Sequence, residues 1–323
     1  MLLPLASTPW QAPAVDEDDV LAGLRAPRKW LPARLLRDDA GAALYEEVTR
    51  LSDHYWSPVE QTLLRAHLGT IAHHVGPGAR VVEPASGEGA LTRMLLRGLE
   101  RPASYVPVDL APTQLAGLAA ELRRRHPGLV VQPVCADPAR SFELPATERE
   151  APRTLMVLAG AALGQREPAE ARALLSRLAA LAGPDRLLLL GADATREPAR
   201  ILRAHADDHG VIQAYIRSAL AHLNRTRAAR FDPQAFTHRA VWTAAANRVD
   251  HQLVSTGRQI VRVDGLVVAF APGEPITVLS HYQHAPDATQ LLLASGGWRP
   301  RQVFTPVETP YRLWLCEPLR ALR

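Results

Sequence analysis

A cluster of small and acidic residues carries the first chemical signal. In Arg80-Val-Val-Glu-Pro-Ala-Ser-Gly-Glu-Gly-Ala-Leu-Thr92, Glu83 closes an apolar run, and Ala85, Gly87 and Gly89 follow at alternate positions. The pattern reads as a buried strand, a tight turn and a helix start. Small residues there let the backbone approach a bulky ligand, and glycine tolerates positive φ. A second apolar run, Tyr105-Val-Pro-Val-Asp-Leu110, ends in Asp109, 26 positions after Glu83. An acidic side chain at the end of the second strand of a Rossmann-like unit accepts hydrogen bonds from both hydroxyls of a ribose. Glu83, Ser86, Gly87, Gly89 and Asp109 are therefore candidate contacts for a nucleoside-bearing cofactor. A dinucleotide fingerprint fits less well, because Thr92 stands where its third small residue packs helix on strand.

Titratable residues elsewhere read less sharply. His205-Ala-Asp-Asp-His209 sets two histidines four apart, and His281-Tyr-Gln-His284 adds two more. No cysteine cluster and no HExxH pattern accompanies them, so the expectation is no metal. His205 is the best candidate proton acceptor, since imidazole titrates near neutral pH; an ordinary helix-surface histidine is the alternative. Arg37, in Arg34-Leu-Leu-Arg-Asp-Asp39, suits either a bidentate carboxylate contact or a local salt bridge.

The elements that must position these groups follow from periodicity. Residues 80–83, 104–109, 129–135, 154–158 and 186–190 read as strands. Helices at 91–99, 112–126 and 167–182 alternate with them, Leu115, Leu118 and Leu122 forming one helical stripe. Near-continuous apolar strands interleaved with helices predict a parallel sheet covered on both faces. A helix at 285–295 and strands at 298–307 and 311–316 follow at the end. Residues 195–282 break the pattern: 197–225 is mainly helical, a short helix starts at Phe231-Asp-Pro233, and strands are predicted at 239–245, 251–263 and 266–270. Asp264-Gly265 marks a hairpin turn between the last two.

Bulk properties narrow the class. A chain of 323 residues, 47% hydrophobic, suits one large domain or two ordinary ones. Cys135 and Cys316 make no disulfide framework, which points to a reducing cytoplasm. The start Met1-Leu-Leu-Pro-Leu-Ala lacks a basic residue and soon meets Asp16-Glu-Asp-Asp19, unlike a signal peptide. No apolar stretch approaches the roughly 20 residues that span a bilayer. The net charge is +4, yet Lys29 is the only lysine and the arginines are scattered among acids, so neither nucleic acid nor membrane is an expected partner.

The Glu83 loop resembles the E-x-G-x-G-x-G loop of S-adenosylmethionine-dependent methyltransferases, with alanine in the first glycine slot. Further strings extend the likeness: Ala40-Gly-Ala-Ala-Leu-Tyr-Glu-Glu-Val-Thr-Arg-Leu51, Tyr105-Val-Pro-Val-Asp109, Leu188-Leu-Leu-Gly-Ala-Asp193, Phe231-Asp-Pro-Gln-Ala-Phe-Thr-His238 and Ala269-Phe-Ala-Pro-Gly-Glu274. In this order they resemble the histidine Nα-methyltransferases of ergothioneine biosynthesis and the fungal relatives that methylate dimethylallyltryptophan. The resemblance implies an α/β fold: a class I methyltransferase Rossmann-like sheet with an inserted α+β substrate-binding domain. Residues 1–58 and 195–282 would form the substrate-binding domain, and 59–194 with 283–323 the cofactor-binding domain. The implied cofactor is S-adenosyl-L-methionine, with Asp109 on the ribose and Asp137 near the adenine amino group. The family's loop lysine falls on Leu91.

The acceptor side departs from the family pattern. The family's Gly-Ser-Thr-Ile-Gly-Asn run, whose asparagine binds the substrate amine, is here Gly160-Ala-Ala-Leu-Gly-Gln165. Its carboxylate-binding tyrosine aligns with Tyr55, other pocket tyrosines with His205 and Arg37, and a pocket methionine with His251. Its Glu-x-Ser pair, which holds imidazole, is Val278-Leu-Ser280. Arg37, Tyr55, Gln165, His251 and Ser280 are thus the implied substrate contacts. Loss of the glutamate forfeits a charge-assisted hydrogen bond worth roughly 1.5–3 kcal/mol, so free histidine is not the expected acceptor. The expectation is N-methylation of the α-amino group of another amino acid or amino-acid-derived small molecule. A small-molecule O-methyltransferase, or a non-catalytic binding protein retaining the fold, are the alternatives.

Overall fold

The computed structural model describes residues 19–146, 150–160, 162–206, 209–307 and 309–319. The apolar start of the chain, Asp16 to Asp18, Ala161, Asp207 and Asp208 of the segments quoted above lie outside them. The described residues open with α1 (Asp19–Arg25), a 3-10 turn (Ala33–Leu36), α2 (Asp39–Thr49) and α3 (Trp56–Val75). Asp38 caps α2 by accepting from the Gly41 amide at 2.8 Å, which satisfies one of the helix's unpaired first-turn donors. The alternating unit follows: β1 (Arg80–Pro84), α4 (Ala90–Gly98), β2 (Ser104–Asp109), α5 (Pro112–Arg125), β3 (Val130–Val131), β4 (Val134–Cys135), β5 (Thr154–Leu158), α6 (Pro168–Ala182) and β6 (Arg186–Ala192).

The predicted strand at 129–135 is therefore two short pieces. Pro133 has no N–H to give the ladder, and the chain leaves it there before rejoining β2 at Val134. The predicted helix at 197–225 is also two, α7 (Pro198–Ala204) and α8 (Val211–Thr226), with Gly210 in the left-handed conformation (φ 79°) opening the second. Five strands, not three, follow: β7 (Phe236–Thr243), β8 (Arg248–Ser255), β9 (Gln259–Val263), β10 (Leu266–Phe270) and β11 (Pro275–Tyr282). The strand predicted at 251–263 breaks at Thr256-Gly257-Arg258, where no side chain at Gly257 holds the chain extended. Phe231-Asp-Pro233 leads only into a single 3-10 turn. Asp264 and Gly265, both at positive φ, make the expected hairpin between β9 and β10. The chain closes with α9 (Pro286–Ser295), β12 (Trp298–Phe304) and β13 (Arg312–Pro318).

The large sheet runs β12-β13-β6-β5-β1-β2-β3, with β4 continuing beside β2. Strands β1 to β6 pair in parallel, while β13 is antiparallel to both β6 and β12. This is the class I methyltransferase sheet that the resemblance implies. Alternation along each strand sends neighbours to opposite faces. Val81, Tyr105, Leu155 and Leu189 join the core packed by α3, α4 and α5, whereas Val82, Val106, Met156 and Leu188 join the one packed by α6 and α9. A third apolar cluster draws Val20, Leu24, Leu36 and Val48 together with Ile216, Leu220, Phe236, Leu253, Phe270 and Ile276. The early helices thus pack on α8 and the small sheet β11-β8-β7, and Trp30 bridges to Thr277 of β11.

Candidate functional site

Two cavities adjoin at the carboxyl ends of the parallel strands. The first, about 580 Å³, is lined by Glu83, Ser86, Gly87, Gly89, Asp109, Glu60, Tyr45, Tyr215, Arg37 and Gln165, among others. The second, about 520 Å³, is lined by Asp137, Arg166, Glu167, Val278 and Ser280, and again by Arg37 and Gln165. Arg37 Nη2 donates to Gln165 Oε1 at 2.8 Å, so this pair stands on the boundary between the two spaces.

Local conformation explains the first cavity. Ala85, Gly87 and Gly89 all take positive φ, at 59°, 52° and 75°. Nothing lies within 4 Å of a Cβ added at Gly87, so that face of the loop is open to a ligand. A Cβ at Gly89 would meet Leu118 Cδ1 at 2.6 Å, so glycine there lets α4 start close against α5. The Gly87 amide donates to Asp109 Oδ2 at 3.0 Å, and the Leu110 amide to Oδ1 at 2.7 Å. Each carboxylate oxygen keeps a lone pair for a further donor, such as a ribose hydroxyl. Ser86 Oγ is buried without a partner on the same wall. These features fit an adenosyl cofactor.

Glu83 lies beneath that loop, buried with Thr92 and Tyr105; its Oε2 accepts from the Tyr105 hydroxyl at 2.6 Å and from Thr92. Burial pushes its carboxyl up to about 7, against the pull of those two hydrogen bonds. Thr92, the residue that breaks a dinucleotide fingerprint, is spent on this polar cluster. Leu91, in the lysine position, is buried in the apolar core.

The remaining expected residues divide. Asp137 lines the second cavity, where its Oδ1 accepts from the Ala139 amide at 2.8 Å. Tyr55, His205 and His251 line neither cavity. The Tyr55 hydroxyl donates to Asp193, and Arg200 sits 4.4 Å above its ring. His205 stacks on Trp56 (5.2 Å between centroids) and contacts His251, Nδ1 to Nε2, at 3.0 Å. His251 Nδ1 in turn meets His238 Nε2 at 3.0 Å. Burial, and then neighbouring imidazoles, hold His205 and His251 well below the usual histidine range, so both rings are neutral near pH 7. Among the described residues no group of three or more potential ligands could hold a metal ion.

Three polar residues of the site have no forecast in the sequence. Glu60 on α3 lines the first cavity, accepts from the Gly160 amide at 2.8 Å, and is pushed up to about 7 by burial. Its position four residues after Trp56, on the same buried helix face, is the signal that could have found it. Arg166 is 7% exposed and lines the second cavity. Asp250 on β8 lies opposite Ser280 in register; its Oδ1 accepts from Ser280 Oγ at 2.6 Å, and its Oδ2 from Arg248 at 2.9 Å. Only strand pairing brings that carboxylate to the serine.

With this geometry in place, the similarities to known proteins are specific. The profile of a family described as histidine-specific methyltransferase, SAM-dependent, matches residues 16–318. A histidine N-alpha-methyltransferase of Mycobacterium tuberculosis is 34% identical over 285 residues, 86% of this chain and 87% of its own. One from Mycolicibacterium smegmatis is 33% identical, covering 89% and 90%. An N-methyltransferase of Aspergillus flavus is 23% identical over 91% of this chain and 82% of its own.

Proposed function

The chain belongs to the histidine-specific, S-adenosylmethionine-dependent methyltransferase family, and on that premise we propose that it methylates the α-amino nitrogen of an amino acid, or of an amino-acid-derived small molecule, other than free histidine. The observation that carries the reading is the Asp109–Gly87 contact on the wall of one cavity, with Gln165 and Arg37 shared with the next. We assign residues 1–58 and 195–282 to a substrate-binding lobe and 59–194 and 283–323 to the cofactor-binding one; the apolar cluster joining α1 and α2 to α8 and the small sheet supports that division.

Bound S-adenosylmethionine supplies an activated methyl group. Asp109 would hold its ribose and the open face at Gly87 with the hydroxyl of Ser86 its neighbouring polar groups; Asp137 would take the adenine edge where the base reaches into the second cavity, which Asp137 lines. Gln165, between the cavities, would orient the accepting amine with its side-chain carbonyl, while Arg37 and Ser280 would hold the rest of the acceptor. Tyr55 and His251 would act from behind, Tyr55 by fixing Asp193 and His251 by holding the tautomer of His205. His205, the proposed proton acceptor, lines neither cavity, so it would take the amine's proton only through an intervening group. Its Nε2 is buried without a partner, and its Nδ1 begins an N-to-N path through His251 to half-buried His238. Positioning and exclusion of water make up most of what the protein adds to such a transfer.

Exclusion of histidine rests on two placements. Val278, in the glutamate position, is 1% exposed within an apolar cluster. The carboxylate that does reach Ser280, Asp250, is already paired with Arg248. An imidazole N–H at the Val278–Ser280 position would therefore meet no unpaired carboxylate on β11 or β8. The test is product mass after incubation with labelled cofactor and an amino-acid panel that includes L-histidine. Faster turnover of L-histidine than of every other acceptor would refute the exclusion, and failure to bind S-adenosylhomocysteine in calorimetry would refute the cofactor assignment.

A further inference from the structure

The second cavity holds a guanidinium that makes no ion pair within 4.0 Å among the described residues. Arg166 is 7% exposed, its Nε is buried without a partner, and no hydrogen bond or ion pair to it is found among the described residues. Most other charges on this wall are committed. Arg34 pairs with Asp19, Arg140 lies 4.0 Å from Asp137, and Glu167 bonds Tyr282 and lies 3.6 Å from Arg248. Arg177 donates to the Ala139 carbonyl at 2.6 Å, and Glu170 receives the Glu167 amide at 3.3 Å to close the capping box of α6. Among the described residues the Arg37 guanidinium bonds only the neutral Gln165 oxygen.

Four charged groups therefore act on Arg166: Arg37 and Arg177 against it, Asp137 and Glu170 for it. Burial first, then Arg37, pull its guanidinium down to about 10, still charged at neutral pH. A buried charge without a partner is retained at a cost, and the ordinary resolution is an anion that arrives with the ligand. The planar forks of two arginines suit a carboxylate, which accepts two parallel N–H bonds.

We propose that Arg166 and Arg37 form an anion subsite in the second cavity, and that the acceptor is an amino acid carrying a second carboxylate remote from the nitrogen to be methylated. The site builds on the functional reading above. The remote carboxylate would lie between the two guanidiniums, while the amine reaches past Gln165 toward the first cavity. The volume of about 520 Å³ has room for a small acceptor of this kind, since pockets of that order enclose most of a small ligand's surface.

The experiment is calorimetric titration of the full chain with L-glutamate and L-2-aminoadipate, against L-glutamine as the uncharged counterpart. Each titration is run with and without saturating S-adenosylhomocysteine. At least one of the two acids should bind about tenfold or more tighter than glutamine, with inorganic phosphate competing only weakly. R166M should reduce the preference to under about twofold while S-adenosylhomocysteine affinity stays unchanged. R166K, which keeps the charge and loses the fork, should restore part of it and serves if R166M does not fold. Equal binding of acid and amide, no binding of either acid, phosphate competing as well as the acids, or an undiminished preference in R166M would each overturn the subsite. Loss of S-adenosylhomocysteine binding with the acid preference intact would instead count against the cofactor reading alone.

Discussion

The two cavities are built in opposite ways. One wall of the first is a single stretch of chain, residues 83–109, in which backbone amides and a single carboxylate fix each other, while residues 36–61 supply much of the rest. The second is made by side chains from segments far apart: Arg37 after the 3-10 turn, Arg166 before α6, Val278 and Ser280 on β11, with Asp250 beneath on β8. A site held by its own backbone cannot change ligand without losing its turn. A site held by long side chains on separate elements can exchange one residue at a time. Such a difference would let the acceptor side of a chain in this family change while the cofactor loop is kept.

If the contrast is sound, the backbone-built half should be the brittle one. Asp109→Ala should weaken S-adenosylhomocysteine binding roughly 100-fold by calorimetry, since two hydrogen bonds to a charged acceptor are lost. An affinity within threefold of the parent would break the comparison at its strongest point. Gly89→Ala should destabilise the fold by about 3 kcal/mol in denaturant titration, from overpacking and a left-handed backbone together. The new Cβ meets Leu118 while the backbone stays at φ 75°.

The histidine row beside the acceptor half gives a test by pH. His205 and His251 are held below the ordinary value of 6.5, so the stability they contribute is complete above it and is lost as pH falls toward their folded values. His54 and His284, pushed down to about 3 and about 4, act in the same direction. Glu60 and Glu83, raised to about 7, act the other way: their contribution is complete below the ordinary carboxylate range and is lost as pH rises through about 7. Burial raises Glu167 and Asp193 as well, so carboxyls match imidazoles in number, and the fall in stability that the imidazoles bring between pH 6.5 and pH 5 is read by removing one of them. His251→Leu should lessen that fall by about 1 kcal/mol per pH unit. An unchanged slope would show that the row is not held neutral. The smallest expected effect lies back in the loop: Ala85→Gly should stabilise the chain by about 1 kcal/mol in the same titration, by relieving a left-handed alanine. That residue sits at φ 59°.

What was legible in the sequence follows the same division. β2 and β5 begin and end where the apolar runs do, and the hairpin of β12 and β13 completes the sheet as expected. The small sheet was read poorly, because β8 and β9 form one β-prone run with only Thr256-Gly257-Arg258 to divide it, and β11 follows Pro272-Gly273 without clear alternation. The residues assigned to the acceptor by alignment landed unevenly. Arg37, Gln165 and Ser280 reach the cavities, while Tyr55, His205 and His251 are engaged with Asp193, with Trp56 and with one another.

By itself the sequence determined the order of strand and helix, the glycine turn, and the carboxylate at 109 that answers it. All of these depend on neighbours within a few tens of residues, where periodicity and φ preferences operate. Tertiary structure alone decided that Asp250 would stand beside Ser280, that Arg37 would meet Gln165 on the boundary of two cavities, and that Arg166 would be buried facing one of them. Those contacts join residues 30 and 128 positions apart, or lie in a crevice walled by at least four segments. No local preference records such a meeting; strand register and the packing of separate elements create it.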